Sequence, residues 1–221
     1  MAGPGAQPPP APLLIACALR IERAALRSAG RPAGATAAVL RTGMGPRAAE
    51  RAVARALERP GMAGAAVLAT GFCAGLVPGM HPGDLVVADE TRDPHGTVPC
   101  TGTRLLAEAL ALALPGRTVH TGALTGSDHV VRGQERARLR ATGAVAVDME
   151  SAATLWTATR GARTPAGEGR PVAAVRVIVD APEHELVRIG TVRGGISAFR
   201  VLRALLPAFH EWHRSSLLPR R

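Results

Sequence analysis

Short apolar runs bounded by glycine recur along this chain, joined by stretches of helical pattern. That alternation is the signature of a mixed or mostly parallel sheet covered by helices. The runs are LLIACAL (13–19), ATAAVLRTG (35–43), AGAAVLATG (63–71), GDLVVADE (83–90), RTVHTGALTG (117–126), the start of AVAVDMESAATL (144–155) and PVAAVRVIVD (171–180). A helical pattern follows the first run as far as Arg27, and Pro46 is well placed at the start of a second one, MGPRAAERAVARALE. AGAAVLATG leads into a glycine-rich turn, and a polar loop follows GDLVVADE. Further helices are read in TRLLAEALALAL (103–114), in RGQERARLRATG and in the small residues after Glu150, with a Gly/Pro-rich connection at 161–171. RGGISAFRVLRALLPAFHEWHR (193–214) reads as one closing amphipathic helix. At 221 residues this suits a single α/β domain, a central mixed β-sheet flanked by helices, with no internal repeat. The domain is expected over 13–214, between a disordered Pro-rich lead at 1–12 and a basic tail at 215–221.

A formal charge of +10 raises the question of a nucleic-acid partner. All 27 basic residues are arginine, however, and Lys, Asn and Tyr are absent together, which points to GC-rich coding. Aromatic residues make up 2% of the chain, too few for a platform on which single strands could stack. No nucleic-acid partner is expected. Cys17, Cys73 and Cys100 have no metal-ligand spacing, and their odd number does not suggest a disulfide framework. Cys17 reads as a small core residue. The lead lacks the charged and apolar regions of a signal peptide, and no apolar run is long enough to span a bilayer, so a cytoplasmic protein is expected.

Several polar residues fall just past the expected strand ends, which is where open α/β sheets bind ligands. Glu22 follows the first strand, Thr70–Gly75 the third, Ser127–Asp128 a later one, and Asp148, Glu150 and Asp180 the last two. Carboxylates gathered at one edge with little Lys or His between them suit chemistry in which positive charge develops, or a ligand rich in hydroxyls. A charge such as Glu150 at the end of a buried strand is expensive unless something binds it.

AVDMESAA (146–153) resembles the signature of the purine nucleoside phosphorylase and methylthioadenosine/S-adenosylhomocysteine nucleosidase superfamily. RTGMGPRAA (41–49), ATGFCAGLVPGMHPGDLVVADE (69–90) and VRVIVDAP (175–182) are similar to it in the same order, so the resemblance covers nearly all of the chain from residue 13. It implies a three-layer α/β/α fold of the nucleoside phosphorylase kind, a small-molecule purine nucleoside as substrate, no cofactor and no metal. It also implies a homo-oligomer, commonly with a neighbouring subunit closing the site. SDHVV and the ending GTVRGGISAFRVLRALLPAF look most like the hopanoid-associated branch, which implies adenosylhopane, a lipid-linked nucleoside.

Carried over by position, the resemblance makes Glu150 the group that binds the ribose hydroxyls, with Met149 lying along the sugar. Asp180 becomes the donor of a proton or hydrogen bond to purine N7. Glu22 becomes the water-activating carboxylate of the hydrolytic members, while Val130 and Val131 pack the base and Gly71 and Phe72 line the substrate site. Phe72 replaces a common serine near the ribose, and Val179 a Ser or Thr beside the acid. The chemistry fits these residue types. Breaking an N-glycosidic bond passes through an oxocarbenium-like sugar, and the leaving purine needs acid assistance. Asp180 would need burial to hold its proton. Glu150 is expected to stay ionised at a helix N-terminus.

Other readings stand beside these. Asp148 reads as structural. TGMG (42–45), with Gly43 and Gly45, could cradle phosphate or simply form a tight turn. HEWH (210–213) reads as a solvated helix face rather than a metal pair, and His129 and PEHE (182–185) as surface loop. Glu22 taken alone would be a helix-surface charge. Hydrolysis is favoured over phosphorolysis, because Ala69 stands where phosphorolytic members recruit an arginine. With phosphate as co-substrate, Arg20, Arg23, Arg41 and Arg47 are the candidates for holding it. A nucleoside-binding regulator is the nonenzymatic alternative. A lipid-linked substrate would need an apolar rim, for which Phe72, Leu76, Val77, Met80, Ile196, Phe199, Val201 and Leu202 are candidates. Arg193, Arg200 and Arg203 could then meet anionic lipid in a peripheral membrane contact. The plainer reading makes these apolar residues core.

Overall fold

The computed structural model describes residues 11–28, 37–160, 169–182 and 192–217, with the side chains of the last segment from Ala198 onward. Residues 1–10 of the lead, 161–168 of the connection, 183–185 of PEHE, 218–221 of the tail and the side chains of Arg193 and Ile196 lie outside the described residues. The elements are β1 (Leu13–Cys17), α1 (Arg20–Ser28), β2 (Ala37–Arg41), α2 (Pro46–Leu57), β3 (Ala66–Gly75), β4 (Leu85–Asp93), β5 (Gly96–Pro99), α3 (Thr103–Ala113), β6 (Val119–Gly126), α4 (Gln134–Ala141), β7 (Ala144–Asp148), α5 (Ser151–Thr159), β8 (Val172–Asp180), α6 (Val192–Ala204) and α7 (Leu206–Ser216).

The eight strands form one mixed sheet in the order β2-β1-β3-β7-β6-β4-β5, with β8 pairing both β3 and β4. The expected α/β domain with a central mixed sheet is what the chain builds. β8 runs parallel to β3 and antiparallel to β4, which closes a ring of pairings β3–β7–β6–β4–β8. β1 and β2 extend from β3, all three parallel.

Successive side chains of a strand point to opposite faces, so each inner strand feeds two cores. Leu13, Ile15 and Cys17 of β1 join Val175 and Val177 of β8 in one core, covered by α1, α3, α6 and α7 through Leu26, Leu106, Leu202 and Phe209. Leu14 and Ala16, with Ala174 and Ile178, join the other, covered by α2 and α5 through Val53 and Leu155. β8 is apolar on both faces except at Arg176 and at its last residue, Asp180, and those two exceptions mark the site.

Four expectations are corrected. Beyond Gly71, β8 goes on pairing with β3 as far as Ala74, with a register shift after Cys73, so the strand expected to end at Gly71 continues through Ala74 and Gly75. Those last two residues then turn against β7. The polar stretch after β4 folds back as the hairpin strand β5, paired from Glu90↔Pro99 to Asp93↔Gly96. The closing helix is two helices, meeting at Leu205 with Pro207 at the start of the second. Proline cannot donate the hydrogen bond that would carry the first helix onward. HEWH is not a solvated face either: His210, Trp212 and His213 are buried, and the Trp212 indole donates to the Thr101 carbonyl at 2.7 Å.

Candidate active site

β1 ends at Cys17 and α1 begins at Arg20, so Glu22 sits in the first helical turn and folds back on the strand end. Its Oε2 accepts the backbone N–H groups of Ala18 at 2.9 Å and Leu19 at 2.8 Å. Its Oε1 accepts that of Phe72 on β3 at 3.0 Å. The side chain is 2% exposed, which corrects the reading of Glu22 as a surface charge. The close approach depends on Gly71. With φ at +139° and a Cβ that would lie 2.6 Å from both Glu22 Oε1 and an Arg176 Nη1, the position excludes any side chain.

Arg176 is the hub. It is 1% exposed, and its Nη2 meets Asp148 Oδ2 at 2.5 Å. Its Nε donates to Ser151 Oγ at 2.8 Å and its Nη1 to the Thr70 carbonyl at 3.0 Å. Burial works against the guanidinium charge, but Asp148, Glu150 and Glu22 outweigh it and hold Arg176 firmly cationic. Asp148 also accepts the Ser151 N–H on both oxygens at 3.2 Å, tying β7 to the start of α5. That is the structural role expected of it.

Glu150 is the residue before α5, and its Oε1 accepts the Gly45 N–H at 2.8 Å across the gap to α2. Gly45 adopts φ +87° there. TGMG is therefore a turn whose last amide serves Glu150. The expectation that the helix terminus keeps Glu150 ionised is corrected. Burial pushes its carboxyl from 4.5 up to about 7, and Asp148 and Glu22 add to the rise against the opposing pull of Arg176. Around this point stand Glu22, Asp148 and Glu150 with one guanidinium among them.

Asp180 lies at the end of β8, four residues past Arg176. Its two oxygens meet the guanidinium of Arg136 from α4, Oδ1 at 3.4 Å from Nη1 and Oδ2 in a tighter contact with Nη2. Arg136 Nε donates to the Val131 carbonyl at 3.3 Å. Asp180 is thus held in a carboxylate–guanidinium pair. Val131 is buried in a small cluster with Leu76, Ala144 and Val147, whereas Val130 is exposed. Met149 and Phe72 are half-buried at the strand ends. Outside them, His129 bridges Asp128 at 2.7 Å and Glu135 at 3.0 Å on the surface, and these carboxylates raise its pKa.

The structure thus bonds Glu22 to the Phe72 amide beside Gly71 and Glu150 to the Gly45 amide, with the charge of Arg176 acting on both carboxyls, and it holds Asp180 and Val131 together through Arg136. Of the arginines expected to hold a phosphate, Arg20, Arg41 and Arg47 are exposed and Arg23 is half-buried. Leu76, Met80, Val201 and Leu202 are buried core and form no rim, a correction to the apolar opening. The exposed apolar residues after strand ends are Ile21, Met44 and Val130. Among the described residues no cluster of three or more His, Cys, Asp or Glu is placed to hold a metal. No helix there is long and apolar enough to cross a membrane. Sequence reasoning missed Arg176, Ser151 and Arg136. For Arg176 the signal was present: a lone arginine inside AAVRVIV has to find partners or unfold the strand.

A family model described as the phosphorylase superfamily matches residues 20–207. No curated protein matches the chain. Among solved structures, 5′-methylthioadenosine/S-adenosylhomocysteine nucleosidase from Neisseria meningitidis, in complex with methylthio-immucillin-A, is similar at 19% identity. The alignment covers 93% of this chain and 99% of that one, with a TM-score of 0.71. The corresponding nucleosidase from S. pneumoniae, with a transition-state inhibitor, is 20% identical over 89% of this chain and 98% of that one, TM-score 0.68. S-adenosylhomocysteine nucleosidase from Streptococcus pyogenes is 20% identical over 91% and 98%, TM-score 0.70. At these identities the likeness is one of fold.

Proposed function

The chain belongs to the phosphorylase superfamily and is an enzyme of the nucleosidase or phosphorylase type, and from that premise we propose that it releases adenine from an adenine nucleoside by hydrolysis of the N-glycosidic bond. The observation that carries this reading is the buried group at the end of β1, β3 and β7, where three carboxyls face one guanidinium. A site with that balance favours a sugar on which positive charge develops.

Each group has capacity left for its role. A carboxylate offers about four acceptor sites. Glu22 gives three to backbone N–H groups and keeps one on Oε1, beside Gly71, for a water. As that water attacks C1′, its proton passes to Glu22, the new C–O bond forms and the base departs with the electrons of the C–N bond, taking at N7 the proton that Asp180 supplies. Glu150 spends Oε1 on Gly45, while Oε2 has no protein donor among the described residues and accepts from the ribose hydroxyls. Asp180 and Val131 attend the base, and Met149 the sugar. Hydrolysis is preferred to phosphorolysis because Gly45, the amide of a phosphate cradle, is committed to Glu150, and three of the four candidate arginines, Arg20, Arg41 and Arg47, are exposed, with Arg23 half-buried.

The group on C5′ is read from the resemblance of SDHVV and the chain ending to the hopanoid-associated branch, which names adenosylhopane; 5′-methylthioadenosine is the second candidate. The C5′ group would meet Ile21, Met44 and Val130, the exposed apolar residues that follow β1, β2 and β6. The same residues suit the cover of a second subunit in a homo-oligomer. Adenine release should be followed by mass spectrometry on adenosylhopane, 5′-methylthioadenosine and inosine, with light scattering to set the oligomer. Release of adenine from either of the first two supports the reading; release of no base from any substrate would replace it with a nucleoside-binding regulator.

A further inference from the structure

α5 opens on Ser151, Ala152 and Ala153, all buried, so alanine would serve the packing at its first position as well. Serine adds a hydroxyl where there is no solvent: Ser151 is 0% exposed, and its Oγ accepts from Arg176 Nε at 2.8 Å. That contact bears on how Arg176 meets Asp148. A buried guanidinium beside a carboxylate ordinarily closes on it with two parallel N–H bonds. Here the three nitrogens go to three partners, Nε to Ser151, Nη1 to the Thr70 carbonyl and Nη2 to Asp148. The Asp148 oxygens in turn both accept the Ser151 N–H at 3.2 Å. One residue thus touches both members of the buried ion pair.

We propose that Ser151 is a positioning residue, whose hydroxyl holds the Nε edge of Arg176 away from Asp148 and so keeps the guanidinium shared among Asp148, Glu150 and Glu22. This rests on the reading of Glu150 as the carboxylate that binds the sugar. Without the hydroxyl, Nε would be a buried donor in need of a partner, and the charged acceptor already on the same guanidinium is Asp148. Turning onto it would form the closed two-point pair and withdraw positive charge from the other two carboxyls. Glu150 would register the change. It faces Asp148 from β7, Glu22 from α1, Arg176 from β8 and the Gly45 amide before α2, and of these charges only Arg176 favours its ionised form.

The test is the pH dependence of kcat/KM for adenine release from 5′-methylthioadenosine or adenosylhopane, whichever the wild type turns over. It compares the wild type with Ser151→Ala and Ser151→Thr. Ionisation of Glu150 should give the wild type an acid limb at about 7, a value that belongs to the free enzyme. In Ser151→Ala the limb should move up by about one pH unit, the size of shift that an opposite charge close to a carboxylate commands. Ser151→Thr, which keeps a hydroxyl, should return it. A serine needed only for packing would lower the melting temperature and leave the limb in place. An unmoved limb in folded Ser151→Ala, or a wild type with no limb at about 7, overturns the role of Ser151 while adenine release stands. Should Ser151→Ala not fold, a wild-type limb in Ser151→Cys, whose thiol is a weak acceptor, overturns it equally. No base released by the wild type would overturn the nucleosidase reading and this inference together.

Discussion

At the scale of the residue, Glu150 carries two consequences of its burial. Its carboxyl holds a proton up to about 7 in the folded protein against 4.5 ordinarily, so the folded state binds the proton more tightly than the unfolded chain. Stability from this group is therefore present below about 4.5 and is lost as the pH rises through about 7. Glu150→Gln should melt higher than the wild type at pH 8 and close to it at pH 5, a difference read by calorimetric scans; a gap that widens toward acid would contradict the assignment. The second consequence concerns the diol. Glu150→Gln should weaken binding and turnover of a ribose nucleoside together, by about 1.5–3 kcal/mol for a lost charged hydrogen bond. A 2′-deoxy substrate should lose most of that sensitivity, and equal penalties on both would place Glu150 away from the sugar. Gly71 adds a steric prediction. Gly71→Ala puts a methyl 2.6 Å from Glu22 Oε1, so turnover should collapse while the melting transition stays cooperative.

At the scale of the element, the sequence told most where one physical requirement acted alone. Apolar alternation located β1, β2, β6, β7 and β8, and the start of α2 followed from Pro46. It told less where tertiary pairing decided. Gly71–Gly75 reads locally as a turn, but β8 alongside makes it strand. Pro207 breaks the closing helix, and the run of apolar residues around it hid the break. The amphipathic pattern of one long helix turns HEWH outward; on two helices Trp212 turns inward. Its indole fits against Gly102 and bonds to Thr101, so α7 is locked to the start of α3. Trp212→Ala should cost about 3–5 kcal/mol of unfolding free energy, measured in urea; a loss under about 1 kcal/mol would mean that α7 is not part of the cooperative unit. In the site, Glu22, Glu150 and Asp180 could be named from their places after strands. Their partners could not, because Arg136 and Arg176 declare themselves only when distant elements meet.

At the scale of the whole molecule, a chain of net charge +10 builds its most buried polar group from carboxyls. Carboxyls outnumber guanidiniums in that group, against the excess of arginine in the chain as a whole. Arginines on the outside can draw phosphate or lipid head groups toward the protein, whereas the proposed reaction, on water and a cationic sugar, takes place at the interior group. The account stands on that separation. Its most direct test is the sugar product of the wild-type reaction on 5′-methylthioadenosine or adenosylhopane, identified by mass spectrometry with and without phosphate. A free sugar, formed with adenine at the same rate whether or not phosphate is present, is the predicted result. Adenine release that requires phosphate and yields a sugar 1-phosphate would contradict it.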